Sequence, residues 1–134
     1  MTPGSPAPEP LVLIVDDDER NLRLARDVLR AAGLRTIEGS TGAKGIELAG
    51  HHLPDVILMD LGLPFVNGLE AARRLRAGED TRKIPIIAVT GYSLEHTPSD
   101  RAVFDGFLVK PCTPETVERE IQLVLGARAV EAAH

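Results

Sequence analysis

Short apolar runs alternate along the chain with longer segments of helical periodicity. Five runs rich in β-branched and aliphatic residues have the length and composition of strands. These predicted strands are Leu11 to Asp16, Arg35 to Glu38, Asp55 to Asp60, Ile84 to Thr90 and Phe107 to Lys110. Strands that alternate with helices are joined by right-handed crossovers, so the pattern predicts an α/β protein with a doubly wound parallel sheet.

The segments between the strands predict five helices, of which the fourth is short or broken. The first helix has a buried face at the spacing i, i+3, i+4, i+7, and Gly33 stops it. Ser93 to Phe104 contains Pro98 and only a weak apolar stripe, which is why the fourth helix is expected to be interrupted. The buried face of the first helix is Leu22, Ala25, Val28, Leu29 and Ala32; helices two, three and five are predicted at Ala43 to Leu53, Leu69 to Ala77 and Val117 to Leu125.

Length and composition predict one folded domain with short flanking segments. The chain has 134 residues, of which 43% are hydrophobic, and this suits a single core. Residues 1–10 include four prolines and are expected to form a flexible tail. The folded domain is predicted at 11–126, and 127–134 is expected to be a helical extension or a frayed tail, with no second domain after it.

Charge and targeting signals narrow the function classes. The formal net charge is −5 and the basic residues are dispersed, so nucleic-acid binding is not indicated. The start of the chain lacks a basic leader and a membrane-length apolar run, so a cytoplasmic protein is expected. Cys112 is the one cysteine, which excludes an intrachain disulfide, and the adjacent His51 and His52 are expected to be solvated.

Two of the apolar runs end abruptly in carboxylates. The first runs into Asp16, Asp17 and Asp18, and the third ends at Asp60. Neighbouring parallel strands would gather these groups at one sheet edge, where their mutual repulsion and loss of water require a cation or proton. Thr90 and Lys110 end the fourth and fifth strands and fall at the same edge, where doubly wound sheets bind ligands. Asp18 precedes the first helix and is interpreted as its N-cap.

The chain resembles the receiver domain of two-component response regulators from Leu11 to about Leu125. The resemblance implies a flavodoxin-like sheet of strand order 2-1-3-4-5, a phosphoryl group accepted by Asp60 from a histidine kinase, and a magnesium ion held by the acidic pair. It rests on five ordered pieces: Ile14-Val15-Asp16-Asp17-Asp18, Asp60-Leu61-Gly62-Leu63-Pro64, Asn67-Gly68, Val89-Thr90-Gly91 and Val109-Lys110-Pro111.

Each position in this resemblance has a chemical reason. Magnesium takes oxygen ligands, so Asp17 is predicted as a direct ligand, Asp16 as a ligand through water, and the Gly62 carbonyl as a further oxygen. Asp60 would be both ligand and acceptor, and manganese is a possible substitute for magnesium. Lys110 offers a positive charge and Thr90 a hydroxyl donor to the phosphoryl oxygens.

Departures from the family pattern concern the switch and the access of water. Thr90 is predicted to move toward the phosphoryl group, and Phe107 occupies the place of a switch aromatic without a hydroxyl to anchor it, which predicts a looser coupling. The interval from Thr90 to Lys110 is short, which puts the usual output surface in doubt. Gly62 and Tyr92 flank the expected path of attacking water, and Tyr92 is predicted to supply most of the shielding.

The leading function is a stand-alone phosphoacceptor switch that catalyses only its own phosphorylation and dephosphorylation. A magnesium-dependent phosphatase with an aspartyl nucleophile is an alternative, although Gly62 stands where that class needs an acid/base carboxylate. A third hypothesis is a receiver-like interaction module that keeps the fold without the chemistry.

The expected partners are a histidine kinase or histidine phosphotransfer protein and an unknown downstream protein. The protein is expected to be a monomer or weak dimer and not to bind a membrane. Recognition is assigned to exposed side chains such as Asn21, Leu22 and Arg26.

Overall fold

The five predicted strands are present and form one parallel sheet of order β2-β1-β3-β4-β5. The computed structural model describes residues 9–63, 65–91 and 98–133, so the predictions for residues 1–8 and for Tyr92 lie outside the described residues. Its strands are β1 (Leu11–Val15), β2 (Arg35–Gly39), β3 (Val56–Asp60), β4 (Ile86–Thr90) and β5 (Gly106–Val109). The predicted strand order is confirmed.

Strand bounds differ from the predicted ones by a residue or two. The largest difference is at β4, which begins at Ile86 and not at Ile84. Pro85 has no N–H to give to a ladder, although its carbonyl accepts a hydrogen bond from Ile57 at 2.9 Å. Regular pairing therefore starts one residue after the proline.

The described residues form five helices, and the fourth is described from Pro98 to Arg101. The described part of α4 is a single four-residue turn, and the residues before it, from Ser93, lie outside the described residues. No helix in the described part of the chain is long and apolar enough to cross a lipid bilayer. The helices are α1 (Glu19–Ala31), α2 (Gly42–His52), α3 (Gly68–Ala77), α4 (Pro98–Arg101) and α5 (Pro114–Ala133).

Side-chain caps begin α1 and α3. The Asp18 carboxylate accepts hydrogen bonds from the amides of Arg20 at 2.9 Å and Asn21 at 3.4 Å. Asn67 accepts one from the Glu70 amide at 2.9 Å. These bonds satisfy amides that have no partner inside the helix, so the interpretation of Asp18 as an N-cap is confirmed.

The core lies on both faces of the sheet, as the continuous apolar character of the central strands requires. Alternate residues of β1 and β3 point to opposite faces, and both strands are buried throughout their central residues. One face packs against α2 and α3, and the other against α1 and α5. Fully buried side chains on the first face include Leu13, Ile57, Met59 and Leu75, and on the second Val12, Leu29, Ile87 and Ile121.

Arg76 of α3 fixes the segment that leads from α4 into β5. Its guanidinium donates to the carbonyls of Val103 at 2.9 Å and Ile84 at 2.7 Å, and to the Asp105 carboxylate at 2.6 Å. Arg73, one turn earlier in α3, forms an ion pair with Asp100 in α4. Arg73 thus connects α3 to α4, and Arg76 connects α3 to the segment that follows α4.

Candidate functional site

The parallel ladder brings the predicted acidic residues to one place. β1 lies beside β3 with Val15 opposite Met59. Asp16 and Asp60 are the next residues along these two neighbouring strands, so they meet at the same edge of the sheet. Asp16 is 8% exposed and Asp60 is 6% exposed, while Asp17 is an exposed residue. Buried carboxylates of this kind require compensation by positive charge or by hydrogen bonds.

Three carboxylates are arranged so that one cation could touch all of them. One oxygen each from Asp16, Asp17 and Asp60 lies within 4.8 Å of the other two. Hard oxygen donors at such spacing are the ligands that Mg²⁺ uses in proteins. The residues present therefore fit a small divalent cation.

Lys110 provides the positive charge that the buried carboxylates need. Its Nζ lies 3.2 Å from Asp60 Oδ2 and 3.8 Å from Asp16 Oδ2. Burial on its own lowers the pKa of Lys110, but the charges of Asp16 and Asp60 outweigh burial and hold that pKa above its ordinary value. The ammonium group is therefore charged at neutral pH and positioned against the phosphoryl acceptor predicted from the sequence.

Asp16 is the carboxylate with incomplete compensation. Burial raises the pKa of its carboxyl group, and the charge of Asp60 raises it further. A hydrogen bond from the Asp18 amide at 2.9 Å, the charge of Lys110 and a hydrogen bond from the Asn21 side chain act in the opposite direction without cancelling the rise. A cation at this position would relieve the remaining cost.

The loop after β3 orients Asp60. The Gly62 amide donates a hydrogen bond of 2.8 Å to Asp60 Oδ1, a contact that the sequence does not predict. Gly68, the first residue of α3, packs against the backbone of Asp60 and Leu61, where a Cβ would collide. The loop that follows Asp60 thus contacts this residue at both of its ends. Ligation by the Gly62 carbonyl stays a prediction.

Thr90 and Phe107, the two predicted switch residues, lie in β4 and β5, and their movement stays a prediction. Thr90 is 5% exposed at the end of β4, and its carbonyl accepts a 2.7 Å hydrogen bond from the Lys110 amide. The half-buried Phe107 ring packs edge-on against Phe104 with centroids 5.7 Å apart. Arg101 lies 5.6 Å above the same ring, so this rotamer of Phe107 has a cation–π anchor that the sequence does not predict.

A cleft of about 460 Å³ opens beside the acidic residues between α1 and α5. Asn21 lines this cleft and is half-buried, so it contributes to the site as well as to the surface predicted for partner recognition. Leu22 is only 7% exposed and packs in the core, and its predicted recognition role is wrong because it belongs to the buried helix face. Arg26 is partly buried and pairs with Glu38 of β2 at 3.5 Å.

Cys112 lines the cleft, whereas His51 and His52 are not among the residues that line it. His51 and His52 are exposed at the end of α2. Cys112 is half-buried in the cleft wall, and burial raises the pKa of its thiol. A thiol with a raised pKa is the less reactive, protonated form at neutral pH.

The fold and the acidic site define a response regulator receiver domain. The sequence matches that family over residues 12–122, and the chain therefore belongs to it. It is similar to the polar-differentiation response regulator DivK of Brucella ovis, with 45% identity over 84 residues, covering 63% of this chain and 68% of DivK. The related DivK of Brucella anthropi is 44% identical over the same length. A receiver domain is the phosphoacceptor module of two-component signalling.

Solved structures agree with this assignment. The chemotaxis protein CheY4 of Vibrio cholerae superposes with a TM-score of 0.81 and 28% identity, covering 87% of this chain and 98% of CheY4. The receiver domain of the sensor histidine kinase PA1611 from Pseudomonas aeruginosa PAO1 gives a TM-score of 0.80 and 30% identity, covering 88% of this chain and 98% of that domain. In the latter structure a magnesium ion is coordinated in the active site cleft.

Replacing Asp16 by asparagine is expected to stabilise the metal-free protein at neutral pH. Because burial raises the pKa of Asp16 above its ordinary value of 3.8, folding favours the protonated carboxyl group. That favourable contribution is present below the unfolded-state pKa and is lost as the pH rises through the higher folded-state pKa. D16N keeps an oxygen for the Asp18 amide and removes the charge, so the free energy of unfolding at pH 7 should rise by on the order of 1 kcal/mol.

Urea denaturation in EDTA at neutral pH and near pH 3 measures this effect. The stabilisation by D16N should disappear near pH 3, where both Asp16 and its replacement are neutral. Asp27→Asn is the matched control, because the Asp27 side chain is 65% exposed and its removal should change stability by less than about 0.5 kcal/mol. A D16N protein less stable than wild type in EDTA at pH 7 would contradict the prediction.

Proposed function

We propose that the protein is a phosphoacceptor switch in which Asp60 receives a phosphoryl group from the phosphorylated histidine of a partner protein. The observation that carries this proposal is the arrangement around Asp60, a buried carboxylate 3.2 Å from Lys110 Nζ and within 4.8 Å of oxygens from two further aspartates. Such a site can accept a negatively charged group only if positive charge is already in place.

In the proposed step a carboxylate oxygen of Asp60 attacks phosphorus. The O–P bond of an acyl phosphate forms as the N–P bond to the histidine breaks, and the electron pair returns to the imidazole nitrogen of the donor. The Gly62 amide holds Asp60 Oδ1 at 2.8 Å, which leaves Oδ2, the oxygen beside Lys110, to attack. Lys110 balances the charge of the phosphoryl oxygens, and the Thr90 hydroxyl donates to one of them.

Magnesium is the proposed cofactor, and manganese could substitute for it. Asp16, Asp17 and Asp60 would hold the ion, with the Gly62 carbonyl as a further oxygen. A bound magnesium ion supplies charge neutralisation for the phosphoryl oxygens. The raised pKa of Asp16 supports this assignment, since the metal-free carboxylate is left short of positive charge. The magnesium ion in the PA1611 receiver domain, at 30% identity, supports it further.

The proposed output is a change in partner binding and not turnover of a substrate. Movement of Thr90 toward the phosphoryl group would open space for the Phe107 ring, which must then leave its contact with Arg101, 5.6 Å from the ring centroid. A phosphatase with an aspartyl nucleophile is disfavoured because Gly62 has no acid/base side chain. An interaction module without the chemistry is disfavoured because Asp60 and its charged partners are all present.

Incubation with magnesium and acetyl phosphate tests the proposal. Intact-mass analysis should show the gain of one phosphoryl group by the wild-type protein and no gain by Asp60→Asn, because the amide is not a nucleophile for phosphorus. Asp27→Asn, a change at an exposed carboxylate, should be labelled like wild type. Labelling that persists in Asp60→Asn, or continuous hydrolysis of varied phosphate esters by wild type, would refute the proposed switch.

A further inference from the structure

Phe65 is the most exposed large apolar side chain in the described part of the chain. It is 99% exposed, and its φ of 63° places it in the left-handed region that phenylalanine rarely adopts. An exposed phenyl ring gains none of the free energy of transfer from water to an apolar interior. The left-handed backbone of a non-glycine residue adds a conformational cost. Both unfavourable contributions to folding fall on Phe65, one residue of the loop that follows Asp60.

The loop that carries Phe65 is fixed on both sides of it. Before it, Leu63 is 4% exposed and packs in the core. After it, Val66 packs against α2, where a Cβ at Gly42 would come within 3.2 Å of Val66 Cβ. Phe65 is thus exposed between two described residues of the same loop that pack into the fold.

The same loop starts and ends against Asp60. The Gly62 amide bonds to the Asp60 carboxylate at 2.8 Å, and α3 begins at Gly68 in direct contact with the Asp60 backbone. Phe65 therefore lies midway along the loop that begins and ends against Asp60, and we call this loop the wall around the acceptor. Asp60 is 6% exposed, so a phosphoryl donor has to reach down past this wall to bring phosphorus within bonding distance.

From this placement we propose that Phe65 is the anchor that seats the protein phosphodonor, inserting into an apolar recess beside the phosphorylated histidine of that partner. The inference rests on the proposed function and adds the contact that makes the reaction specific for a protein donor. A downstream target is not obliged to approach the acceptor, whereas the donor must cover the wall each time it transfers. Exposed aromatic side chains are the residues that most often act as binding anchors.

The electrostatics of the wall favour an apolar anchor. Asp16, Asp17 and Asp60 gather negative charge at the acceptor, and the incoming phosphoryl group is also negative. Charged side chains of the donor would meet both the carboxylates and the Lys110 ammonium at this edge, while burial of a phenyl ring is indifferent to the sign of the charge. Docking through Phe65 should for this reason depend weakly on salt.

Phosphotransfer from two kinds of donor tests the proposal. The protein donor is whichever of the radiolabelled histidine kinases and histidine phosphotransfer proteins of the source organism transfers fastest to wild type, and the small donor is acetyl phosphate. Phe65→Ala should lower kcat/KM with the protein donor by about tenfold, equivalent to about 1.4 kcal/mol, and leave the acetyl phosphate rate unchanged. Phe65→Leu should recover part of the loss. Leu123→Ala, at an exposed leucine of α5 that is 62% accessible, is the matched control.

Each outcome bears on the inference. A wild-type rate for Phe65→Ala with the protein donor, or an equal loss with both donors, would overturn it. Labelling of wild type by acetyl phosphate with no transfer from any protein donor would overturn it and leave the proposed phosphoacceptor intact. Loss of self-association in Phe65→Ala, measured by sedimentation without a change in transfer, would assign the ring to a second copy of the chain. Failure of both donors on wild type would count against the phosphoacceptor itself.

Discussion

Replacing Lys110 by alanine should lower the rate of Asp60 phosphorylation by acetyl phosphate by about a hundredfold, the usual effect of removing one preorganised electrostatic group. Lys110 Nζ lies 3.2 Å from the acceptor oxygen, where it would balance the phosphoryl charge. The backbone of Lys110 is bonded to the end of β4, since the Lys110 amide donates a hydrogen bond of 2.7 Å to the Thr90 carbonyl. A flexible side chain elsewhere would not replace the Lys110 ammonium, because the backbone bond fixes where this lysine starts. Time-resolved intact-mass analysis measures the rate.

Stability should show a matching dependence on pH. The carboxylates of Asp16 and Asp60 overcome the effect of burial and raise the pKa of Lys110, so folding favours the charged ammonium. The stabilising contribution is present below the unfolded-state pKa near 10.5 and is lost as the pH rises through the higher folded-state value. Lys110→Ala should therefore be less stable than wild type at pH 7, with the difference shrinking in strongly alkaline solution.

Lys44→Ala is the control for Lys110→Ala. Lys44 lies near the start of α2, is half-exposed and pairs with Glu47 at 3.5 Å on the helix surface. Its removal should leave the phosphorylation rate unchanged and alter stability by less than about 0.5 kcal/mol. A Lys110→Ala protein that is phosphorylated at the wild-type rate would show that the charge of this lysine is dispensable.

Replacing Gly68 by alanine should destabilise the protein by about 3 kcal/mol, the upper end of the range for overpacking in a closed site. A Cβ at Gly68 would lie 2.7 Å from Leu61 Cα and closer still to the Asp60 carbonyl oxygen. Backbone atoms cannot rotate away as a side chain can, so α3 or the end of β3 has to move. Either movement displaces Asp60, and phosphorylation should fall together with stability.

Gly50→Ala separates the steric effect from the general effect of alanine in a helix. Gly50 is exposed in α2, and nothing lies within 4 Å of the position that its Cβ would occupy. Alanine there should stabilise the protein by about 0.5–1 kcal/mol, because glycine is the poorer helix former. Urea denaturation of both variants measures the contrast. Equal effects of the two substitutions would mean that the approach of α3 to Asp60 is less close than it is in this structure.

The acidic half of the site follows from the sequence because it depends on two regularities. Apolar runs that end in Asp16 and Asp60 predict strands, and parallel strands end at one edge of the sheet. The Asp18 cap is equally local, since a side chain one residue before a helix can reach only the first amides. A short fourth helix could also be predicted from the sequence, because Pro98 restricts the helix that can form around it.

Contacts between residues far apart in the sequence could not be predicted in this way. Arg76 donates to the backbone carbonyls of Val103 and Ile84, and no residue type in the sequence marks a carbonyl as an acceptor. The stacking of Arg101 on Phe107 depends on how α4 turns into β5. Phe65 is one phenylalanine among three in the composition, and nothing in the pattern distinguishes it from the buried Phe104.

Residue identity and periodicity were sufficient to identify the sheet, the edge at which its carboxylates meet and the chemistry that those carboxylates with Lys110 can support. Periodicity is a short-range property and survives in any window of the chain. The direction of a loop side chain is different, because it depends on the packing of residues on either side of the loop. That packing set Gly62 against Asp60 and left Phe65 exposed in the loop that follows Asp60.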